Sequence, residues 1–139
     1  MNSYRYNEIR VGMTESFSHT VTDEDIREFR RITGDDNPLH TDRDYAVNYG
    51  FKSEVVYGML SASLISTMAG VYLPGRFGVL HQINEVKFAK PVYLDDTLIV
   101  KGIVKEMNDC VSQVLVKVEI FNQNNEKVIR ASYNAGFVE

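Results

Sequence analysis

The sequence of 139 residues contains one cysteine and no tryptophan. A single cysteine cannot form a disulfide within the chain, so a reducing compartment, the cytoplasm, is the expected location. Cys110 follows Asn108 and Asp109, which favour a turn, and we interpret it as a turn residue. Lysine and arginine form no run and the formal net charge is −4. Nucleic acid and acidic membrane surfaces are therefore not expected partners.

Several signatures of cofactor and metal sites are also missing. No cluster of histidine, cysteine and acidic residues has metal-ligand spacing, so we predict no metal. The sequence contains no phosphate-binding glycine loop and no Gly-x-Ser-x-Gly turn. The N-terminus lacks the apolar run of a secretory signal. The uncharged segment 55–75 is long enough to span a membrane, but its serines, glycines and proline favour a helix buried inside the protein.

The predicted elements indicate one α+β domain covering residues 1–139. Its apolar content of 44% and charged content of 24% are ordinary for a globular protein. A strand over 14–21 precedes a helix that Thr22 caps and Gly34 ends. A second helix starts near 41–44, and a long uncharged helix runs from Met59 to about Leu73. Four strands follow, over 81–89, 97–106, 111–121 and 127–137. They predict an antiparallel meander whose apolar face the long helix covers.

The string from Gly34 to His40 holds two groups that can move protons. Asp35 and His40 are five residues apart and are not neighbours on a helix, but a turn at Asn37-Pro38 would let them converge. A carboxylate and an imidazole around one water can take and return a proton. An ordinary helix stop followed by a turn explains the same string, and the residue pattern alone favours that interpretation.

A second candidate feature is Tyr57-Gly58-Met59, at the start of the uncharged helix. The first turn of a helix offers free amides and a positive partial charge. Glycine there lets a ligand oxygen approach the backbone, so the Gly58 amide is a candidate oxyanion donor. Tight entry of the chain into the helix explains the same glycine, so both interpretations stay open.

These strings together resemble the MaoC-like R-specific enoyl-CoA hydratases, the hydratase 2 family. The segment from Phe29 to His40, which ends in Asp-Asn-Pro-Leu-His, resembles the hydratase 2 motif, and 55–64 resembles the start of the family's central helix. Leu73-Pro74-Gly75 and the string 88–92 also fall where the family has similar strings. The resemblance covers nearly the whole chain and favours a catalytic Gly34–His40 turn.

The resemblance implies a hot-dog fold, in which an antiparallel sheet wraps a long central helix, and a homodimer with the acyl channel near the subunit interface. The implied enzyme is a hydro-lyase that reversibly adds water, in syn geometry, to a trans-2-enoyl-CoA and forms an R-3-hydroxyacyl-CoA. It consumes no cofactor. The implied roles are catalysis by Asp35 and His40, orientation by Asn37, and oxyanion binding by the Gly58 amide. Ser66 matches a serine that supports the catalytic aspartate.

One residue departs from the family pattern, because Tyr57 stands where the family usually has histidine. We expect the change to affect thioester binding or rate. Tyr57, Met59 and Arg76 are candidate substrate contacts, and Arg76 and Lys90 are candidates for the phosphates of CoA.

Three alternatives stay open. A thioesterase on the same fold would need a carboxylate at the carbonyl, for which Glu54 and Glu85 are the candidates. A non-catalytic protein could bind the acyl thioester without turnover. The acyl group could also be carried by acyl carrier protein instead of CoA.

Overall fold

Five antiparallel strands form one sheet, and a central helix packs against its apolar face. The structure, a computed structural model, describes residues 1–138. The strands are β1 (Thr14–Thr20), β2 (Gly78–Phe88), β3 (Thr97–Asn108), β4 (Gln113–Phe121) and β5 (Lys127–Phe137). The helices are α1 (Asp23–Thr33), α2 (Pro38–Thr41), α3 (Arg43–Asn48) and α4 (Gly58–Thr67), with a π-helical turn over Met68–Tyr72 and a 3-10 turn over Tyr6–Glu8. This is the α+β, hot-dog arrangement that the sequence predicts.

The strand connectivity differs from the predicted meander. The sheet order is β1-β3-β4-β5-β2, so β2 pairs with β5 and not with β3. The connection after β2 runs to the opposite end of the sheet, where the Val21 amide donates to the Asp96 carbonyl at 2.9 Å. Within this connection, the Val92 carbonyl accepts from the Val56 amide at 2.8 Å. The prediction of an unbroken meander was therefore wrong at β2, because the segment after Pro91 is a crossover and not a hairpin.

The alternation of apolar residues in the last two strands predicts the core correctly. One face of β4 and the facing positions of β5 are buried, through Val114, Val116, Val118, Ile120, Ile129, Ala131, Tyr133 and Ala135. Apolar side chains every second residue point to one side of a sheet, so this face must be covered. The central helix covers it with Ala62, Ile65, Met68 and Ala69.

The central helix begins at Gly58, one residue before the prediction, and its last turn widens to a π-helical turn that ends at Tyr72. Met68 packs against the sheet at Gly102, where an added Cβ would lie 2.8 Å from the Met68 sulfur. The Tyr133 hydroxyl donates to the Leu73 carbonyl beyond the helix end. The C-terminal half of the helix is thus fixed to β3 and β5.

Helices α1 and α3 begin as predicted, whereas α2 lies where the sequence predicts a turn. The Thr22 hydroxyl accepts from the Asp25 amide and the Asp25 carboxylate accepts from the Thr22 amide, which is a capping box. Gly34 ends α1 with φ of 70°, a left-handed conformation that suits glycine. The turn predicted at Asn37-Pro38 is present, and Pro38 in addition begins α2. Proline is well tolerated there because the first helical residue has no amide partner.

We predict that Ile65→Ala lowers the free energy of unfolding by about 2–5 kcal/mol, because it removes a side chain that is fully buried between α4 and the sheet. Urea unfolding at a fixed protein concentration measures the change. Ile32→Ala is the matched control, since Ile32 is 70% exposed on α1. Equal effects of the two substitutions would contradict the packing described here.

Candidate active site

The loop between α1 and α2 is held by hydrogen bonds within itself. The Asp35 carboxylate accepts from the Asn37 amide at 3.1 Å, and the Asp35 amide donates to the Thr33 hydroxyl at 3.3 Å. The Asn37 side chain caps α2 by accepting from the Leu39 amide at 2.9 Å. These contacts fix the backbone on both sides of Asp35 and leave a carboxylate oxygen available to a ligand.

His40 lies on α2, and its ring is oriented by one backbone carbonyl. Its Nδ1 is 2.6 Å from the Val55 carbonyl oxygen. A carbonyl can only accept, so we assign the proton of the neutral ring to Nδ1. The Nε2 atom then carries the free lone pair and can act as a base. The Val55 amide in turn donates to the Leu39 carbonyl at 3.0 Å, which ties α2 to the segment that leads into α4.

Tyr57 is the buried link between the Asp35 loop and the central helix. Its hydroxyl donates to the Asp35 carbonyl oxygen at 2.6 Å. Its ring lies 4.2 Å from the His40 ring and 5.1 Å from the Phe29 ring, measured between centroids. Burial raises the pKa of the Tyr57 phenol, and the nearby Asp35 and Asp36 raise it further against the opposing effect of Arg30. Tyr57 is therefore a neutral donor at neutral pH.

Gly58 opens α4 directly after Tyr57. The carbonyl of Tyr57 accepts from the amides of Leu60 and Ser61, whereas the Gly58 and Met59 amides donate to no other residue in the range 1–138. Free amides at a helix start carry the positive end of the helix dipole. The Phe88 ring lies against Gly58, where an added Cβ would be 3.0 Å from a ring carbon. A side chain at position 58 would displace this ring.

Two cavities of about 280 Å³ each meet at this point. The first, which we call the acid–base cavity, contains both proton-transfer candidates and is lined by Phe29, Thr33, Asp35, His40, Tyr57, Gly58, Met59 and Phe88. The second, the apolar cavity, is lined by Leu39, His40, Phe51, Val55, Val56, Gly58, Ser61, Phe88, Ala89, Lys90, Pro91, Val92 and Ile129. His40, Gly58 and Phe88 belong to both, so they form the wall between the two.

The structure thus brings five of the predicted residues to one place: Asp35, His40, Tyr57, Gly58 and Met59 line the acid–base cavity. Asn37 lies beside them as the cap of α2.

Ser66 and Arg76 lie elsewhere in this chain. Ser66 is exposed, and at about 1.5 Å per residue it lies roughly 12 Å along the helix from Gly58. Arg76 is exposed beyond the far end of the helix, where its amide donates to the Asn2 carbonyl at 2.8 Å. Neither residue lines either cavity within the described chain.

The two glutamates considered for thioesterase chemistry lie outside the two cavities described above. Glu54 lies next to Val55 in a third cavity, which is also lined by Arg27, Arg30, Arg43 and His40. Glu85 lies on β2, within 3.9 Å of Lys87.

Over residues 1–138, no three histidine, cysteine or acidic side chains are grouped to hold a metal ion. No described helix is long and apolar enough to cross a membrane.

Comparison with known proteins identifies the family. A family model described as a MaoC like domain matches residues 7–125. The chain belongs to the MaoC-like family. Its curated relatives include an (R)-specific enoyl-CoA hydratase of Rhodospirillum rubrum, 36% identical over 105 residues, or 73% of this chain and 72% of the relative.

This MaoC-like chain also matches a dehydratase named for acyl carrier protein and a solved R-hydratase structure. A mitochondrial 3-hydroxyacyl-[acyl-carrier-protein] dehydratase of Solanum lycopersicum is 34% identical over 67% of this chain and 54% of its own length. The solved structure of R-hydratase PhaJ1 from Pseudomonas aeruginosa superposes with a TM-score of 0.87 at 30% identity, covering 96% of this chain and 85% of that one. The hot-dog fold of the MaoC-like chain is thereby confirmed.

Three contributors to the MaoC-like site received no role from the sequence. The Val55 carbonyl that orients His40 belongs to the backbone, so no residue type marks it. Phe88 ends a strand and reaches Gly58 only because β2 lies at the sheet edge nearest α4. Ser61 was one of several serines in the uncharged helix, and only the structure distinguishes it as buried beside the cavity.

We predict that Tyr57→Phe lowers the free energy of unfolding of this MaoC-like protein by about 1 kcal/mol, because the Asp35 carbonyl oxygen loses its hydrogen-bond donor. Urea unfolding measures the change. Tyr49→Phe serves as the control, since the Tyr49 side chain is largely exposed on the surface. A Tyr57→Phe protein as stable as the wild type would show that the hydrogen bond adds nothing to the loop.

Proposed function

We propose that this MaoC-like protein is an R-specific enoyl-CoA hydratase, which reversibly hydrates trans-2-enoyl-CoA to R-3-hydroxyacyl-CoA. The observation that carries the proposal is the meeting of an acid–base pair, a free helix-start amide and an apolar cavity at one point. Hydration of a conjugated thioester needs all three: a group that activates water, a donor for the enolate oxygen and a place for the acyl chain.

In the proposed reaction, one water lies between the free carboxylate oxygen of Asp35 and Nε2 of His40. Nε2 takes a proton from this water while its oxygen bonds to C3 of the enoyl chain. The C2–C3 π electrons move toward the thioester, whose carbonyl oxygen becomes an enolate oxygen. The Nε2 proton then passes to C2, which restores the thioester and the neutral imidazole. Because one residue pair delivers both hydroxyl and proton to the same face, the addition is syn.

The enolate oxygen is proposed to lie at the Gly58 amide. That amide has no partner among residues 1–138 and lies at the positive end of α4. A donor already fixed in place stabilises the charge of the transition state without having to reorient, which is why such donors have large effects on rate. Met59, whose amide is also free, and Tyr57 flank this position.

The apolar cavity is proposed to hold the acyl chain, and CoA is the proposed carrier. Apart from His40, Ser61 and Lys90, its lining residues are apolar or glycine, which suits a hydrocarbon chain. One relative is named as a 3-hydroxyacyl-[acyl-carrier-protein] dehydratase, so acyl carrier protein is the competing carrier of the acyl chain. Crotonyl-CoA and crotonyl-acyl carrier protein should be compared, and we expect the higher kcat/KM with the CoA ester.

A thioesterase activity receives no support from the positions of Glu54 and Glu85. Water attack on the thioester carbonyl would require a carboxylate beside Gly58 in addition to Asp35, which the proposed hydration uses. Neither glutamate lines the acid–base cavity or the apolar cavity of the described chain. Release of free CoA from crotonyl-CoA, followed with a thiol reagent, should therefore be undetectable while hydration proceeds.

The active protein is proposed to be a homodimer formed along β2. This strand lies at the sheet edge with one side unpaired, and Val79, Leu80 and Ile83 on it are exposed. An exposed apolar edge strand is a template for pairing with another chain. A second copy is also proposed to bring the exposed Ser66 and Arg76 toward the site, where Ser66 would support Asp35 and Arg76 would contact the substrate.

We predict that Asp35→Asn and His40→Ala each reduce kcat for crotonyl-CoA by about a thousandfold, because each removes one partner of the water. The loss of absorbance of the conjugated thioester measures the rate. Asp36→Asn is the matched control and should keep the wild-type rate. The Asp36 side chain is 81% exposed, and its ion pair with Arg30 is long, at 3.9 Å. Full activity in either catalytic variant would rule out the assignment. Chiral analysis of the product should give the R alcohol.

We predict that Ile83→Asp disrupts the dimer, because a charge in a paired β2 edge would be buried without a partner. Sedimentation velocity should show a monomer, and kcat/KM should fall together with the dimer fraction. Val111→Asp, in the exposed turn before β4, should leave both unchanged. A dimer that persists in Ile83→Asp would place the interface elsewhere.

A further inference from the structure

One buried hydroxyl beside the apolar cavity has no hydrogen-bond partner. Ser61 is 1% exposed, and its Oγ contacts no donor or acceptor in the described chain. Buried hydroxyls are nearly always paired, and an unpaired one destabilises the folded protein. Two other hydroxyls show the usual pairing: Tyr133 donates to the Leu73 carbonyl, and Ser63 donates to the Leu60 carbonyl at 2.6 Å.

The start of α4 explains why Ser61 stays unpaired. A serine in a helix usually donates to the carbonyl four residues earlier, which here belongs to Tyr57. That carbonyl already accepts from the Leu60 amide at 3.0 Å and from the Ser61 amide at 3.3 Å. A carbonyl oxygen has two lone pairs, so both are in use. Nor does the Ser61 hydroxyl donate to the Gly58 carbonyl three residues earlier, as Ser63 does to Leu60, so it has no acceptor in the described chain.

The helix places this hydroxyl close to the proposed oxyanion position. Ser61 follows Gly58 by three residues, so the two share a face of α4 about one turn apart. Helical side chains lean toward the N-terminus, which brings the Ser61 hydroxyl back toward the level of Gly58. Gly58, Ser61 and His40 all line the apolar cavity.

We propose that Ser61 donates a second hydrogen bond to the thioester carbonyl oxygen, beside the one from the Gly58 amide. The proposal rests on the proposed hydratase function. An acyl hydrocarbon offers this hydroxyl no acceptor, and the oxygen at C3 stays with Asp35 and His40. The thioester oxygen is then the acceptor that reaches this face of α4. Ser61 transfers no proton: it donates one hydrogen bond, which strengthens as negative charge moves onto the oxygen.

The proposal predicts opposite effects of Ser61→Ala on rate and stability. Loss of a donor to the enolate should lower kcat for crotonyl-CoA by roughly tenfold to a hundredfold and change KM by less than about twofold, because the bond is stronger in the transition state than with bound substrate. The free energy of unfolding should stay equal or rise, since an unpaired hydroxyl is removed. Ser63→Ala, in which an exposed and already paired hydroxyl is lost from the same helix, should leave kcat unchanged.

A vibrational measurement separates this role from a purely structural one. The carbonyl stretch of a bound, slowly reacting enoyl thioester should shift to higher frequency in Ser61→Ala, because one hydrogen bond to the oxygen is lost. Wild-type kcat and an unshifted carbonyl band in a folded Ser61→Ala protein would overturn the proposal. If that variant does not fold, Ser61→Cys replaces it: a weaker donor of similar size should lower kcat, and wild-type kcat would equally overturn the proposal. Wild-type protein without hydratase activity would instead refute the proposed function.

Discussion

The site depends on the hydrogen bond from the buried Tyr57 hydroxyl to the Asp35 carbonyl oxygen. Asp35 belongs to a surface loop between two helices, where backbone position is normally poorly fixed. Tyr57 precedes the central helix and is almost completely buried, so it connects this loop to the buried interior of the molecule. The same ring packs against His40, whose Nδ1 is fixed by Val55, two residues before Tyr57. Both proton-transfer candidates are therefore positioned from one short segment, 55–57.

The first turn and the C-terminal part of the central helix have different surroundings. Its C-terminal part, from Ile65 through the π-helical turn, packs against the sheet with Ile65, Met68 and Ala69 buried. Its first turn meets the two cavities and leaves the amides of Gly58 and Met59 and the hydroxyl of Ser61 unpaired. Unpaired donors destabilise a folded protein, and their concentration in one turn is typical of a site that has to bind a negatively charged oxygen.

Most of the fold could be predicted from local sequence. Thr22 and Gly34 bound α1 because capping chemistry involves only neighbouring residues, and the alternating valines of β4 specify a buried strand face. The pairing of β2 with β5 could not be predicted, because strand order depends on contacts between distant segments. Proline at the start of α2 was also interpreted too simply, since the same residue prevents a helix from continuing and favours the start of a new one.

The sequence by itself determined the elements, the apolar face of the sheet and the identity of the proton-transfer candidates, because periodicity, capping and motif spacing are local properties. Only the tertiary structure decided that Asp35 and His40 line one cavity, that the Val55 carbonyl orients His40, and that the buried Tyr57 hydroxyl donates a hydrogen bond to the Asp35 carbonyl. It alone separated Ser61, buried and unpaired, from Ser63 and Ser66, which are exposed on the same helix. Burial and hydrogen bonding depend on what the fold places around a residue, and that information is not local to any stretch of the chain.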